Sequence, residues 1–135
     1  MATELMQTTT DFTNEPLTDF ADPENARMMR EALDRMQARL GASYPLIIGD
    51  REVHEGDLSE SVNPARPTQV VGRFVDATVR EVETAMQVAQ EAFESWRHRS
   101  WEDRADVLFR AAAAMRERRF DLAAVMVYEV SKSWL

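Results

Sequence analysis

Apolar residues recur at spacings of three and four over residues 26–40, 79–96, 101–115 and 120–130, whereas β-branched and apolar residues cluster between Tyr44 and Val75. This pattern predicts four amphipathic helices and one intervening stretch of short strands. In that stretch Pro45-Leu46-Ile47-Ile48 and Arg51-Glu52-Val53-His54 form the arms of a hairpin. Gly49-Asp50 between them suits a two-residue turn, because glycine accepts positive φ. Ser61-Val62-Asn63-Pro64 and Gln69 to Val75 read as two further extended pieces. They are joined by a turn in which Pro64 and Pro67 fix φ and remove backbone donors. Three or four short strands are expected.

The first helix opens on Asp22-Pro23-Glu24, an N-cap acceptor, a proline at the first helical position and an acid in the first turn. It is expected to run to about Leu40, with Ala26, Met29, Leu33, Met36 and Leu40 on one face and a left-handed Gly41 just beyond. Thr78-Val79-Arg80-Glu81 matches a capping box and starts the second helix, which continues to about Trp96. Its stripe of Val79, Val82, Met86, Ala89, Phe93 and Trp96 must face something apolar. A third helix starts at Ser100-Trp101-Glu102-Asp103, with Trp101, Ala105, Leu108, Ala112 and Met115 as its stripe. The fourth should span Phe120 to about Val130, burying Phe120, Ala123, Ala124, Val127 and Val130. Residues Met1 to Thr18 have no period and read as a flexible tail, anchored at most by Phe12, Leu17 and Phe20. Nothing in Ser131 to Leu135 resembles a closing element. The fold class is therefore α+β: a helix, a short β-hairpin layer, then three helices.

With 135 residues the chain is one domain at most. A formal net charge of −8 argues against nucleic acid and anionic membranes as partners, since the summed field repels both. No apolar run approaches a membrane span and no signal segment opens the chain, so a cytoplasmic location is expected. There is no cysteine, which removes disulfides, thiolate metal sites and any thiol nucleophile. His54 lies among Asp50, Glu52, Glu55 and Asp57, an acidic hairpin rim more in keeping with solvation than with a metal site. His98 stands between Arg97 and Arg99 with no general-base partner. Arg116, Arg118 and Arg119 suit a solvated helix end, since no glycine-rich loop accompanies them. Glu129 and Lys132 could pair in solvent. The expected sets of catalytic, cofactor-binding and metal-binding residues are all empty.

The order of motifs nonetheless resembles a known family. Tyr44-Pro45-Leu46-Ile47-Ile48-Gly49, then NPARPTQVVGRF from Asn63, AFESWR from Ala92, SWEDRADVLFRAAAAMRERR from Ser100 and Tyr128-Glu129-Val130-Ser131-Lys132-Ser133-Trp134 together resemble the N-terminal part of the aldehyde dehydrogenase superfamily. Asn14-Glu15-Pro16, followed by Asp19-Phe20, and Ser133-Trp134 point within it to the glutamate γ-semialdehyde (1-pyrroline-5-carboxylate) dehydrogenases. The resemblance implies an incomplete N-terminal part of an α/β NAD-binding domain over residues 19–135. It implies NAD as cofactor and, for the whole enzyme, oxidation of glutamate semialdehyde to glutamate in proline degradation. Members of that family are several hundred residues long, so the phosphate-contacting turns, the catalytic cysteine and the general-base glutamate have no counterpart here. The chain alone is thus expected to be inactive and to bind no NAD. Ser131 stands where the family pattern has glycine, which bears on the turn after the last helix. The rival expectation is a stand-alone helical interaction module without enzymatic activity. The expected partners of the chain are the missing remainder of the enzyme or a second copy held through exposed apolar stripes, with no nucleic acid and no membrane.

Overall fold

A computed structural model describes residues 14–134. Helix α1 spans Pro23–Gln37 and starts as its sequence dictates: the Asp22 carboxylate accepts from the Glu24 amide at 2.9 Å. Its buried side is Ala26, Met29, Ala32 and Met36, while Leu33 and Leu40 are only half-buried. The helix ends three residues before the expected Leu40, in a short turn that brings in Gly41 at φ +75°. The Gly41 amide donates to the Val71 carbonyl at 3.1 Å, and its own carbonyl accepts from Arg73 at 2.7 Å. The left-handed glycine thereby turns the chain from helix into sheet with both backbone groups paired.

Five short strands follow: β1 Ala42–Tyr44, β2 Leu46–Ile48, β3 Arg51–Val53, β4 Leu58–Asn63 and β5 Arg66–Val75. β2 and β3 form the expected two-residue hairpin, Ile48 opposite Arg51, with Gly49 at φ +64°. β4 and β5 pair antiparallel, and β1 adds parallel to the other side of β5, so the order is β1-β5-β4. β1 escapes the sequence pattern because its three residues owe their conformation to a partner far along the chain. Tyr44 there stacks on Phe74, ring centroids 5.3 Å apart. Pro67, expected in the turn, is the second residue of β5. The register passes from Val62 opposite Val70 to Asn63 opposite Arg66, and Pro67 sits in the intervening irregularity, where no ladder donor is required.

Three helices complete the unit: α2 Val79–Trp96, α3 Trp101–Glu117 and α4 Arg119–Val130. α1 packs against α4 over the sheet, and Met29, Ala32, Met36, Val71 and Ala124 form the core, with Phe20, Phe120, Val127, Tyr128 and Trp134 half-buried around it. The capping box at Thr78 forms, with the Thr78 amide donating to the Glu81 carboxylate at 3.0 Å and the hydroxyl donating to the same group. These hydrogen bonds, the hydroxyl's foremost, hold the Glu81 carboxyl below its ordinary value.

Several expected burials are corrected. The α2 stripe faces outward: Val79, Val82, Met86, Phe93 and Trp96 are all exposed, and the side of α2 nearest the rest of the chain carries Glu81, Ala85 and Val88. In α3, Trp101, Leu108 and Met115 are likewise exposed, and only Ala105 and Ala112 of that stripe are half-buried. Val130 of α4 is exposed as well. Conversely, the segment after α4 does close the unit. Trp134 meets Phe20 edge to face at 5.2 Å and lies under the Arg30 guanidinium at 5.9 Å. The proposed tail falls mostly outside the described residues, as does Phe12. Within residues 14–18, Leu17 is fully exposed and Glu15 pairs with Arg116 at 2.6 Å.

Candidate functional site

The polar residues singled out by the sequence do not converge. His54 Nε2 lies 3.1 Å from a Glu52 oxygen on the exposed hairpin arm, and among the described residues no group of three or more His, Asp or Glu is placed to hold a metal. The His98 amide donates to the Ser95 carbonyl at 3.3 Å in the link between α2 and α3. The three arginines at the α3–α4 junction go separate ways. Arg116 pairs with Glu15, Arg119 lies over the Phe120 ring at 4.8 Å, and Arg118 borders a groove. Glu129 accepts from the Ser61 hydroxyl at 3.4 Å.

That groove, of about 160 Å³, runs between α1 and α4 and is lined by Arg35, Met36, Arg39, Arg118, Asp121 and Val125. Its charges are largely spoken for. Asp121 accepts from Arg35 at 3.1 and 2.5 Å, and Arg39 donates to the Tyr44 hydroxyl at 3.4 Å. It contains a paired arginine and carboxylate over an apolar floor, and no nucleophile or general base.

The most organised polar cluster is one that sequence reasoning missed. Asn63, at the end of β4, is buried; its Nδ2 donates to Gln69 at 2.8 Å and its Oδ1 accepts from the Ala65 amide at 3.0 Å. The same Oδ1 accepts from the Ser131 hydroxyl at 3.1 Å, and the Ser131 oxygen in turn accepts from the Ala65 amide at 3.0 Å. Ser131 adopts φ +53°, the left-handed region that glycine would occupy freely. The hydroxyl gives this turn two hydrogen bonds that glycine lacks. The signal available in the sequence was Asn63-Pro64, an Asx-turn pair, together with Ser131 in place of glycine. The cluster fastens the β4–β5 turn to the end of α4 and is structural in character.

A sequence profile of the aldehyde dehydrogenase family matches residues 52–135. The chain is 46% identical over 123 residues to a 1-pyrroline-5-carboxylate dehydrogenase of Geobacillus sp. (strain WCH70), covering 91% of this chain and 24% of that protein. This chain therefore belongs to the aldehyde dehydrogenase family. Among solved structures, a 1-pyrroline-5-carboxylate dehydrogenase from Thermus with bound NAD superposes with a TM-score of 0.89 at 42% identity, over 94% of this chain and 25% of that one. Proline utilization A from Bdellovibrio bacteriovorus gives a TM-score of 0.89 at 37% identity, over 92% and 13%. The chain spans about a quarter of the length of the curated relatives it matches, and its helices and small sheets correspond to an N-terminal part of an aldehyde dehydrogenase.

Proposed function

We propose that this chain supplies the N-terminal portion of an NAD-dependent 1-pyrroline-5-carboxylate dehydrogenase, which oxidises glutamate semialdehyde to glutamate in cytoplasmic proline degradation. The observation that carries this reading is the joint agreement of sequence and shape: 42% identity and a TM-score of 0.89 over 94% of the chain with the Thermus dehydrogenase. Residues 19–135 are then an incomplete part of the dehydrogenase domain. Aldehyde oxidation of this type uses a thiolate nucleophile, and the chain has no cysteine; its methionine thioethers carry no ionisable proton. On this reading the chain by itself neither turns over substrate nor binds NAD.

The test is a hybrid in which this chain replaces the matching quarter of the Geobacillus relative. The hybrid should reduce NAD in the presence of 1-pyrroline-5-carboxylate, and the chain alone should show no turnover and no saturable NAD binding. A folded hybrid that is inactive with that substrate but active with another aldehyde would overturn the substrate assignment. Turnover by the chain alone would overturn its inactivity. The alternative, a stand-alone interaction module, is supported by the exposed stripes of α2 and α3, and predicts a folded, monodisperse chain whose role needs no dehydrogenase.

A further inference from the structure

The groove between α1 and α4 carries more positive charge than it cancels. Three arginines border it, Arg35, Arg39 and Arg118, against a single carboxylate, that of Asp121. Arg35 takes that carboxylate for itself, in contacts of 3.1 and 2.5 Å. Arg39 is steadied by a neutral group instead. Its guanidinium lies 6.0 Å from the Tyr44 ring centroid and reaches the Tyr44 hydroxyl at 3.4 Å, so the side chain is oriented while its charge stays uncompensated. The Arg118 side chain makes no hydrogen bond or ion pair among the described residues. Two positive charges are thus left over at one concavity of a chain whose net charge is −8. Like charges along a concave surface focus the field and draw an anion to it.

The apolar lining sets the kind of anion. Ala32 and Met36, both buried, and Leu122 and Val125 of α4 give the groove a hydrocarbon surface beside its arginines. Its volume of about 160 Å³ is close to the roughly 150 Å³ of an apolar cavity that takes one benzene, so a ligand of about six or seven non-hydrogen atoms fills it. We propose that this groove binds a short aliphatic carboxylate, with the head between Arg39 and Arg118 and the hydrocarbon body on Met36, Leu122 and Val125. Guanidiniums grip carboxylates through paired N–H donors, and Arg39 has donors to spare after its bond to Tyr44. Inorganic phosphate meets the same charges but leaves the apolar surface in water, so the organic anion gains where phosphate does not. A ligand of this size binds with a Kd of about 1 mM. No step of aldehyde oxidation is involved, and the site does not depend on the function proposed above.

The test is a titration of the full, isotope-labelled chain with pentanoate, followed by nuclear magnetic resonance on the arginine Nε–H and backbone amide signals. Saturable shifts should concentrate at Arg39, Arg118 and Leu122, with a Kd of about 1 mM. Pentanamide has the same shape without the charge, and acetate has the charge without the body; each should bind about tenfold more weakly. Arg39→Gln and Arg118→Gln should each weaken pentanoate by about tenfold, whereas Arg99→Gln, which removes the same charge from the α2–α3 link, should not. Both groove arginines are exposed, so the unliganded variants should melt close to the unsubstituted chain, which separates lost binding from lost fold. Leu122→Ala should reduce the preference for pentanoate over acetate severalfold. Pentanamide binding as tightly as pentanoate overturns the site, and so does inorganic phosphate moving the same signals with equal affinity. A response that never saturates and spreads over Arg97, Arg99 and Arg119 overturns it too, as does full binding by both glutamine variants. The hybrid with the Geobacillus relative carries the same groove and gives a second readout. There pentanoate should raise the melting temperature more in the unsubstituted hybrid than in its Arg118→Gln form, the relative's own sites being common to both; equal shifts overturn the site.

Discussion

The side chain of Asn63 ties the β4–β5 turn, Gln69 in the register irregularity and the residue after α4 into one cluster. Truncating it removes three partly buried hydrogen bonds whose partners are half-buried or exposed, so Asn63→Ala should destabilise the chain by about 1–2 kcal/mol. Thermal denaturation reads it directly. Ser131 separates backbone from side-chain effects. Ser131→Ala keeps the left-handed φ and loses both hydrogen bonds, whereas Ser131→Gly loses the bonds but relieves a backbone cost of about 1 kcal/mol. The alanine variant should melt lower than the glycine variant; equal melting would show that φ +53° costs nothing here. Glu81 makes a statement about pH. Its folded carboxyl lies below the ordinary 4.5, held there chiefly by the Thr78 hydroxyl, so its contribution is present above that value and is lost as pH falls through the carboxylate range. Acidification below about pH 4.5 should fray the start of α2, and Glu81→Gln should remove that part of the acid limb in circular dichroism.

At the scale of elements, what could be read from the sequence was whatever is decided locally. The start of α1 at Asp22-Pro23, the Gly49-Asp50 hairpin and the Thr78 capping box each depend on residues within a few positions, and each forms as expected. β1 could not be read, since Ala42-Ser43-Tyr44 has no strand signature and is extended only because Gly72-Arg73-Phe74 lies beside it. Nor could the partners of α2 and α3. A period of three and four shows that a helix has an apolar side, not what lies opposite. The polar side chains follow the same rule: no local motif brings the histidines or arginines together, and the Asn63–Ser131 cluster joins residues far apart in sequence. Gly49 illustrates how an element's turn also sets its packing. Gly49→Ala would strain a turn at φ +64° and press on Val88, so the hairpin and α2 should loosen together, at a cost of about 1–2 kcal/mol. Hydrogen exchange should then rise in Leu46–Val53 and around Val88, but not in α1. Exposed stripes have their own signature: Met86→Glu should lower binding of a hydrophobic dye while changing the melting temperature little, because Met86 is largely exposed.

Across the whole molecule the buried residues are unevenly distributed. α1, the β1-β5-β4 sheet and α4 share the core, while α2 and α3 contain no buried residue. Opening free energies should follow that division, with α2 and α3 exchanging early and α1, β5 and α4 exchanging last. Trp134 sits against the core and Trp96 and Trp101 are exposed, so replacing Trp134 alone with phenylalanine should remove most of the fluorescence change on unfolding. The edge-to-face contact of Phe20 with Trp134 has a mechanical consequence. Because these two residues meet at 5.2 Å, tension applied through the segments on either side of the unit would load that ring pair first and directly. Contacts opened in sequence yield at lower force than contacts sheared together. Held at Phe20 and Trp134 in an optical trap, the unit should therefore unzip from this corner at low force, and attachment across β4 and β5 instead should require distinctly more.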